Sequence, residues 1–290
     1  MKIIGHGREL AALEVLADKE RAPHALIFGG PSALGKRLAA RYFFWKLCNP
    51  TLSREAFELT GLHADILEVS PKGDAREILL PQMQRVRQFV SRTPFQLPAK
   101  LVIIDGAERM RHEAANSLLK VLEEPAPNTY FILVSESPRR ILATLRSRST
   151  TVTFRHVPEV ELLGHFSGKE RALLSKELAW IAGRPGLALR FIQDPKNPEL
   201  VARKEALTKF LALMRFPSIE GCMASAELLA ENPQLDAALE SGLLAARVLF
   251  LEKGEPRLKR LARSRAVLRT IPLNRRLAIE DMLLSTFHPL

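Results

Sequence analysis

The stretch that most limits the fold is Gly30-Pro-Ser-Ala-Leu-Gly35-Lys36-Arg37, which follows the apolar run Ala25-Leu-Ile-Phe28 and opens a helical pattern at Lys36. Glycines let backbone N–H groups approach a phosphate, and a helix beginning there adds partial positive charge. Lys36 is spaced to reach the outer phosphates. A strand, glycine loop and helix in that order fit a phosphate-binding loop, and a glycine turn between a strand and a helix is the plainer alternative. The pattern asks for a Ser or Thr hydroxyl after the lysine, to ligate Mg²⁺, and the residue there is Arg37. A guanidinium has no acceptor with which to ligate a cation and repels one.

Short apolar runs at 23–30, 64–69, 100–105, 129–135 and 150–154 read as strands. The central ones are apolar throughout, as in a sheet covered by helices on both faces. Helical patterns lie between them at Arg8–Ala17, Lys36–Leu47, Pro81–Arg92 and Glu113–Glu123, with Pro81 suited to a first turn and Pro125 to a stop. Strand–helix alternation predicts a parallel α/β sheet over residues 1–157. Past Pro158 the strand signal ends. Helical patterns at Val160–His165, Glu170–Ala182 and Arg184–Ile192 predict a small helical lid domain over 158–199. Further helices near 200–215, 219–231, 233–252, 255–270 and 273–286 predict an all-α domain over 200–290.

Composition narrows the class. With 47% hydrophobic and 26% charged residues the chain has the balance of a globular protein, which excludes global disorder. No apolar run approaches the roughly 20 residues of a membrane helix, and the start MKIIGHGRELAALEVL has no signal region, so a cytoplasmic protein with no membrane partner is expected. Two cysteines, Cys48 and Cys222, cannot build a disulfide framework or a four-ligand zinc site by themselves. The net charge of +11 suits a polyanion, an acidic protein surface or an inert basic exterior. It is polarised: 217–246 carries Glu220, Glu227, Glu231, Asp236 and Glu240 and no base, whereas 253–276 is strongly basic.

A second motif is Leu101-Val-Ile-Ile-Asp105. An acid closing an apolar strand is the usual second Mg²⁺ anchor in phosphate-loop folds; a helix N-cap is the structural alternative for Asp105. Hydrolysis also needs a carboxylate to polarise the attacking water. Gly106 follows Asp105, and Glu108 lies two residues further on.

Glu113-Ala-Ala-Asn-Ser-Leu-Leu-Lys-Val-Leu-Glu-Glu-Pro125, Phe131-Ile-Leu-Val-Ser135 and Leu145-Arg-Ser-Arg-Ser149, taken with His24-Ala-Leu-Ile-Phe and the loop, resemble bacterial clamp-loader subunits of the AAA+ superfamily, in particular the delta-prime family of DNA polymerase III. The likeness covers about residues 3–155, extends through Gly183-Arg-Pro-Gly-Leu-Ala-Leu189, and is generic beyond 200. It implies an AAA+ sheet domain, a lid and an oligomerising collar. The family's Ser-Arg-Cys motif falls on Ser147-Arg148-Ser149. In that family its arginine projects into a neighbour's ATP site as an arginine finger, an effect of roughly 10³–10⁵ in rate. Arg146 and Arg148 read without the family are ordinary surface charges. Ser135 falls on the sensor position, where a polar side chain hydrogen-bonds the terminal phosphate. The lid arginine of the hydrolysing subunits is matched by Gly186, with Arg190 one turn later and out of register.

Three departures, Arg37, Gly106 and Gly186, each remove a separate positioning or electrostatic contribution. The resemblance therefore implies a chain without ATPase activity of its own that donates Arg148, with Ser147 beside it, to a motor subunit. Its own loop (Gly30, Gly35, Lys36, Asp105, Ser135) is left as a degenerate nucleotide site. No cofactor is required on that reading, and passive ATP or ADP binding stays open. The implied partners are tau/gamma-type motor subunits, the delta subunit, primed DNA and, indirectly, the sliding clamp. Some loader subunits carry a four-cysteine zinc module; here the segment 48–63 holds Cys48 and His63 alone, so no zinc or other metal is expected. Arg85, Arg87, Arg92 and Lys100 are candidates to face duplex DNA by family inference. In the basic run Lys259, Arg260 and Arg263 would meet phosphates or an acidic neighbour, unless they form a solvated face. The alternatives are a catalytically active AAA+ motor subunit, a phosphate-loop kinase, for which no acceptor site or base is found, and a nucleic-acid-binding scaffold.

Overall fold

The computed structural model describes residues 3–18, 21–54, 63–72 and 77–215. The helices expected from 219 onward, Cys222, the acidic stretch and Lys259, Arg260 and Arg263 lie outside them. The chain divides into two units, one ending at Pro158 and one beginning at Glu159.

In the first unit five strands, β1 (Ala25–Gly29), β2 (Ile66–Val69), β3 (Lys100–Asp105), β4 (Thr129–Ser135) and β5 (Thr150–Thr153), form one sheet in the order β2-β3-β4-β1-β5. Every pairing is parallel. Side chains alternate across the sheet, so each apolar run feeds two cores. Leu26, Phe28, Leu101, Ile103, Ile132 and Val134 pack with Leu10 and Leu13 of α1 (Gly7–Leu16) and Ala40, Phe43 and Phe44 of α2 (Lys36–Cys48). Ile27, Val102, Ile104, Phe131 and Leu133 pack with Met83, Val86 and Val90 of α3 (Leu80–Val90) and Ala114, Leu118 and Leu122 of α4 (His112–Glu123). Two buried faces explain why the strands lack a polar side. The two edge strands are the exceptions: β2 is mostly half-buried and carries Glu68, and β5 exposes Thr150, Thr151 and Thr153.

Register fixes where chemistry can occur. Gly29 is level with Ser135, and Asp105 with Val134, so the ends of β1, β3 and β4 share one rim of the sheet. Ligands of open α/β sheets sit at this carboxyl rim. A short α5 (Ala143–Arg146) connects β4 to β5.

The second unit contains α6 (Glu159–Gly164), α7 (Gly168–Ser175), α8 (Leu178–Ile181), α9 (Pro185–Gln193) and α10 (Pro198–Arg215). The single helix expected over Glu170–Ala182 is two. The Glu177 N–H bonds back to Leu174 O at 2.9 Å, closing the turn after α7, and the Glu177 carboxylate takes the Trp180 indole N–H at 2.6 Å and Lys204 Nζ at 2.6 Å. That break turns the buried Trp180 edge-on to Phe191, with centroids 5.3 Å apart.

Candidate functional site

The loop after β1 is held by its own backbone. Gly30 has φ +136°, and a Cβ there would lie 2.2 Å from the Phe154 carbonyl oxygen, so only glycine fits beside the exit of β5. Its N–H donates to Ser135 O at 3.1 Å. His6 Nε2 bonds the Leu34 carbonyl at 3.0 Å, pinning the far side of the loop. Gly35 is the left-handed N-cap of α2, and its carbonyl accepts the Ala39 N–H at 2.9 Å. The buried Lys36 ammonium donates to the loop carbonyls of Gly30 and, at 2.5 Å, Pro31. The lysine that would meet a phosphate thus closes the loop on itself.

Arg37, one residue on, has turned toward the acids of the rim. Its guanidinium stands 3.6 Å from Asp105 Oδ2 and donates to Glu68 Oε2 at 3.0 Å. Arg41, one helical turn later, donates to Glu68 Oε1 at 2.7 Å. Burial pushes the Asp105 carboxyl above its ordinary range, and the opposing pull of Arg37 and Lys36 does not cancel it. The donor set therefore does not fit Mg²⁺: the hydroxyl ligand is missing, and a fixed organic cation faces the acid that remains. Glu68 and Arg41 were not singled out from the sequence, although a lone charge inside the apolar run Ile66-Leu-Glu-Val69 is a signal that could have found Glu68.

Gly106 lies in the left-handed region at φ +76°, and a Cβ would stand 3.1 Å from Pro71 Cγ. The backbone itself disfavours a glutamate at the position where a water-polarising carboxylate is needed. Glu108 follows on a 3-10 turn (Ala107–Arg109) and is aimed elsewhere, accepting the Glu136 N–H at 3.3 Å. Ser135 is buried at the end of β4, and its hydroxyl oxygen accepts the Ser137 N–H at 3.0 Å, which serves the turn after the strand. In the second unit Gly186 sits in the first turn of α9, and Arg190 pairs with Glu199 at 3.5 Å.

Ser147 and Arg148 follow α5. The Ser147 hydroxyl donates to Thr144 O at 3.0 Å, and Ser149, where the family has cysteine, donates to Leu145 O at 2.8 Å. Arg148 is exposed, with its guanidinium 3.0 Å from Glu123 Oε1 and donating to Thr144 O at 3.3 Å. Arg146 donates to Arg139 O at 3.1 Å.

Arg85 and Arg87 lie on the exposed side of α3 and Arg92 just beyond it, also exposed. Lys100 does not join them, which corrects its grouping as a DNA-facing base. It is buried, donates to the carbonyls of Arg92 and, at 2.6 Å, Phe89, and lies 4.7 Å over the Phe89 ring. It caps the end of α3 from inside. The loop that follows α3 is fixed by the buried Asp65, whose carboxylate accepts the N–H groups of Phe95 (2.6 Å), Gln96 (2.7 Å) and Leu97 (2.9 Å). Cys48 packs against the core and His63 edge-on to Trp45. Among the described residues no cluster of three or more His, Cys, Asp or Glu is placed to hold a metal, and no helix is long and apolar enough to cross a membrane.

A parallel five-stranded sheet in this order, with a glycine loop at the rim between β1 and α2, defines a phosphate-loop AAA+ fold. A DNA polymerase III gamma subunit-related protein from Thermotoga maritima has a solved structure with the same fold: TM-score 0.50 and 20% identity over 97% of this chain and 99% of that one. Residues 5–158, more than half of the chain, match the family described as DNA polymerase III, delta subunit, and the chain belongs to that family. It is 38% identical over 136 residues to the DNA polymerase III subunit delta' of Haemophilus influenzae, and 36% identical over 147 residues to that of Bacillus subtilis. These alignments cover 46% and 48% of this chain and 41% and 44% of the relatives, so the chain spans less than half the length of the curated relatives it matches.

Proposed function

We propose that the chain is a non-hydrolysing, delta-prime-like subunit of a replicative clamp loader. It acts as a stator and lends Arg148 to the ATP site of a neighbouring tau/gamma-type motor subunit while the sliding clamp is loaded onto primed DNA in the cytoplasm. The observation that carries this is the contact of Arg37 with Asp105 and Glu68: a guanidinium stands where a hydrolysing site needs a divalent cation. The left-handed backbone at Gly106 and the self-closed Lys36 support it. The chain then needs no cofactor or zinc of its own. Kinship with proteins named delta' supplies the loader context, with the motor and delta subunits as partners.

In this mechanism Arg148 is fixed at the rim-to-edge connection by this chain's own α5, and its positive charge meets the charge that develops on the neighbour's transferring phosphoryl group. The chain contributes geometry and one cation. Nucleotide turnover belongs to the motor.

The test is reconstitution with candidate motor and delta subunits. Arg148→Ala should fold and assemble normally and lower DNA-stimulated ATP hydrolysis by about tenfold or more. Unchanged turnover in the intact assembly would remove the finger. Steady hydrolysis by the purified chain, abolished by Lys36→Ala, would instead mark it as a motor subunit.

A further inference from the structure

The geometry points to Glu123 as a positioning residue for Arg148. This rests on Arg148 acting as the lent finger. Arginine is long and unbranched, and it loses much rotamer freedom when it docks on a partner. Arg148 is held at two points within its own chain. One amino group donates to the Thr144 carbonyl at 3.3 Å, and the other lies 3.0 Å from Glu123 Oε1. The two anchors come from different elements, the last residue of α4 and the first turn of α5, so together they fix direction as well as position. Glu123 also ends its helix, where the partial negative charge of the terminal carbonyls adds to the attraction for a guanidinium. The side chains remain 42% and 44% exposed, and two intrachain contacts leave further N–H donors of the planar fork for a foreign phosphate.

The neighbouring arginine supplies a contrast. Arg146 donates to the backbone of Arg139, whereas Arg148 is steered by a charge. An exposed ion pair contributes little to folding, so its removal should leave the subunit intact. Placing a charge in a phosphoryl-transfer site is far more sensitive to angle and distance. Glu123 therefore acts on turnover through Arg148 and touches no reacting atom.

The experiment compares Glu123→Ala, Glu123→Gln, Arg148→Ala and Glu123→Ala/Arg148→Ala subunits in the reconstituted loader. It reads assembly by size-exclusion chromatography, and kcat and KM for DNA-stimulated ATP hydrolysis. Glu123→Ala should assemble normally and lower kcat about three- to tenfold with KM nearly unchanged. Glu123→Gln keeps an acceptor oxygen and should recover part of the loss. The double variant should be no slower than Arg148→Ala alone. Wild-type kcat in Glu123→Ala beside an impaired Arg148→Ala overturns the positioning role and leaves the finger. Losses that multiply in the double variant overturn it as well. A silent Arg148→Ala removes the finger itself, and the positioning role with it.

Discussion

Arg37 Nη1 and Asp105 Oδ2 lie 3.6 Å apart, joining the start of α2 to the end of β3 by a permanent charge in the place of an exchangeable one. Replacing Arg37 with threonine restores the hydroxyl but leaves Gly106, so Arg37→Thr should still show no ATP turnover in the purified chain. Turnover above the wild-type background would show that a carboxylate at 106 is dispensable. Losing Arg37 also removes a charge that pulls the Asp105 carboxyl down. A raised carboxyl favours folding in acid and loses that contribution as pH rises through its folded value. The stability deficit of Arg37→Thr should therefore be smallest near pH 4 and grow toward neutrality, to about 1 kcal/mol given the exposure of the pair. Thermal melts across pH check the trend.

Two glycines of the loop should respond differently to alanine. At Gly30 the new methyl meets a backbone oxygen at 2.2 Å, while at Gly35, with φ +86°, it meets nothing within 4 Å. Gly30→Ala should cost about 3 kcal/mol, from overlap added to backbone strain. Gly35→Ala should cost about 1 kcal/mol, from strain alone. Denaturant midpoints at constant m-value give both numbers, and equal losses would mean that the loop can move away from β5.

Asp65 provides an acid-sensitive fastening. Burial pushes its carboxyl up, but the N–H donors of Phe95, Gln96 and Leu97, aided by His63, outweigh that and hold it below the ordinary carboxylate value. A lowered carboxyl contributes stability above its unfolded value, about 4, and loses it as pH falls through the folded value. Asp65→Asn should cost about 2 kcal/mol at pH 7. The gap to wild type should narrow below about pH 4, and a gap independent of pH would assign the loss to packing.

On the proposed function, the exposed arginines of α3 meet DNA phosphates without reading sequence. Replacing Arg85, Arg87 and Arg92 together by alanine should leave the fold unchanged and reduce the salt slope of DNA binding by the assembled loader, by up to about 0.9 for each phosphate no longer neutralised. Lys100→Met should do the reverse, lowering stability by uncapping α3 and leaving the slope alone. A triple variant with the wild-type slope would place the DNA elsewhere.

The sheet was legible because two-sided burial writes itself as uninterrupted apolar runs. The run expected at 129–135 is β4 residue for residue, and that at 100–105 is β3. The helices flanking them needed only their apolar period with Pro81 and Pro125 as punctuation. Four things were not legible. The break at Lys176–Glu177 depends on Trp180 and Lys204 converging on one carboxylate, which no local period encodes. Lys100 looked like a surface base because its charge is visible in sequence and its two backbone acceptors are not. At the rim, Arg37 was legible as an absent metal ligand, but its contacts with Glu68 and Asp105 depend on β2 and β3 being sheet neighbours, a fact of topology. Glu123 stayed hidden for the same reason, since Arg148 lies far from it along the chain.

The clasp of Lys36 on the carbonyls of Gly30 and Pro31 gives the loop its shape from within. On the proposed function, a loop closed this way needs no nucleotide to keep its outline. Within the proposed loader, such a member would supply a fixed reference against which the motion of the motor subunits is measured.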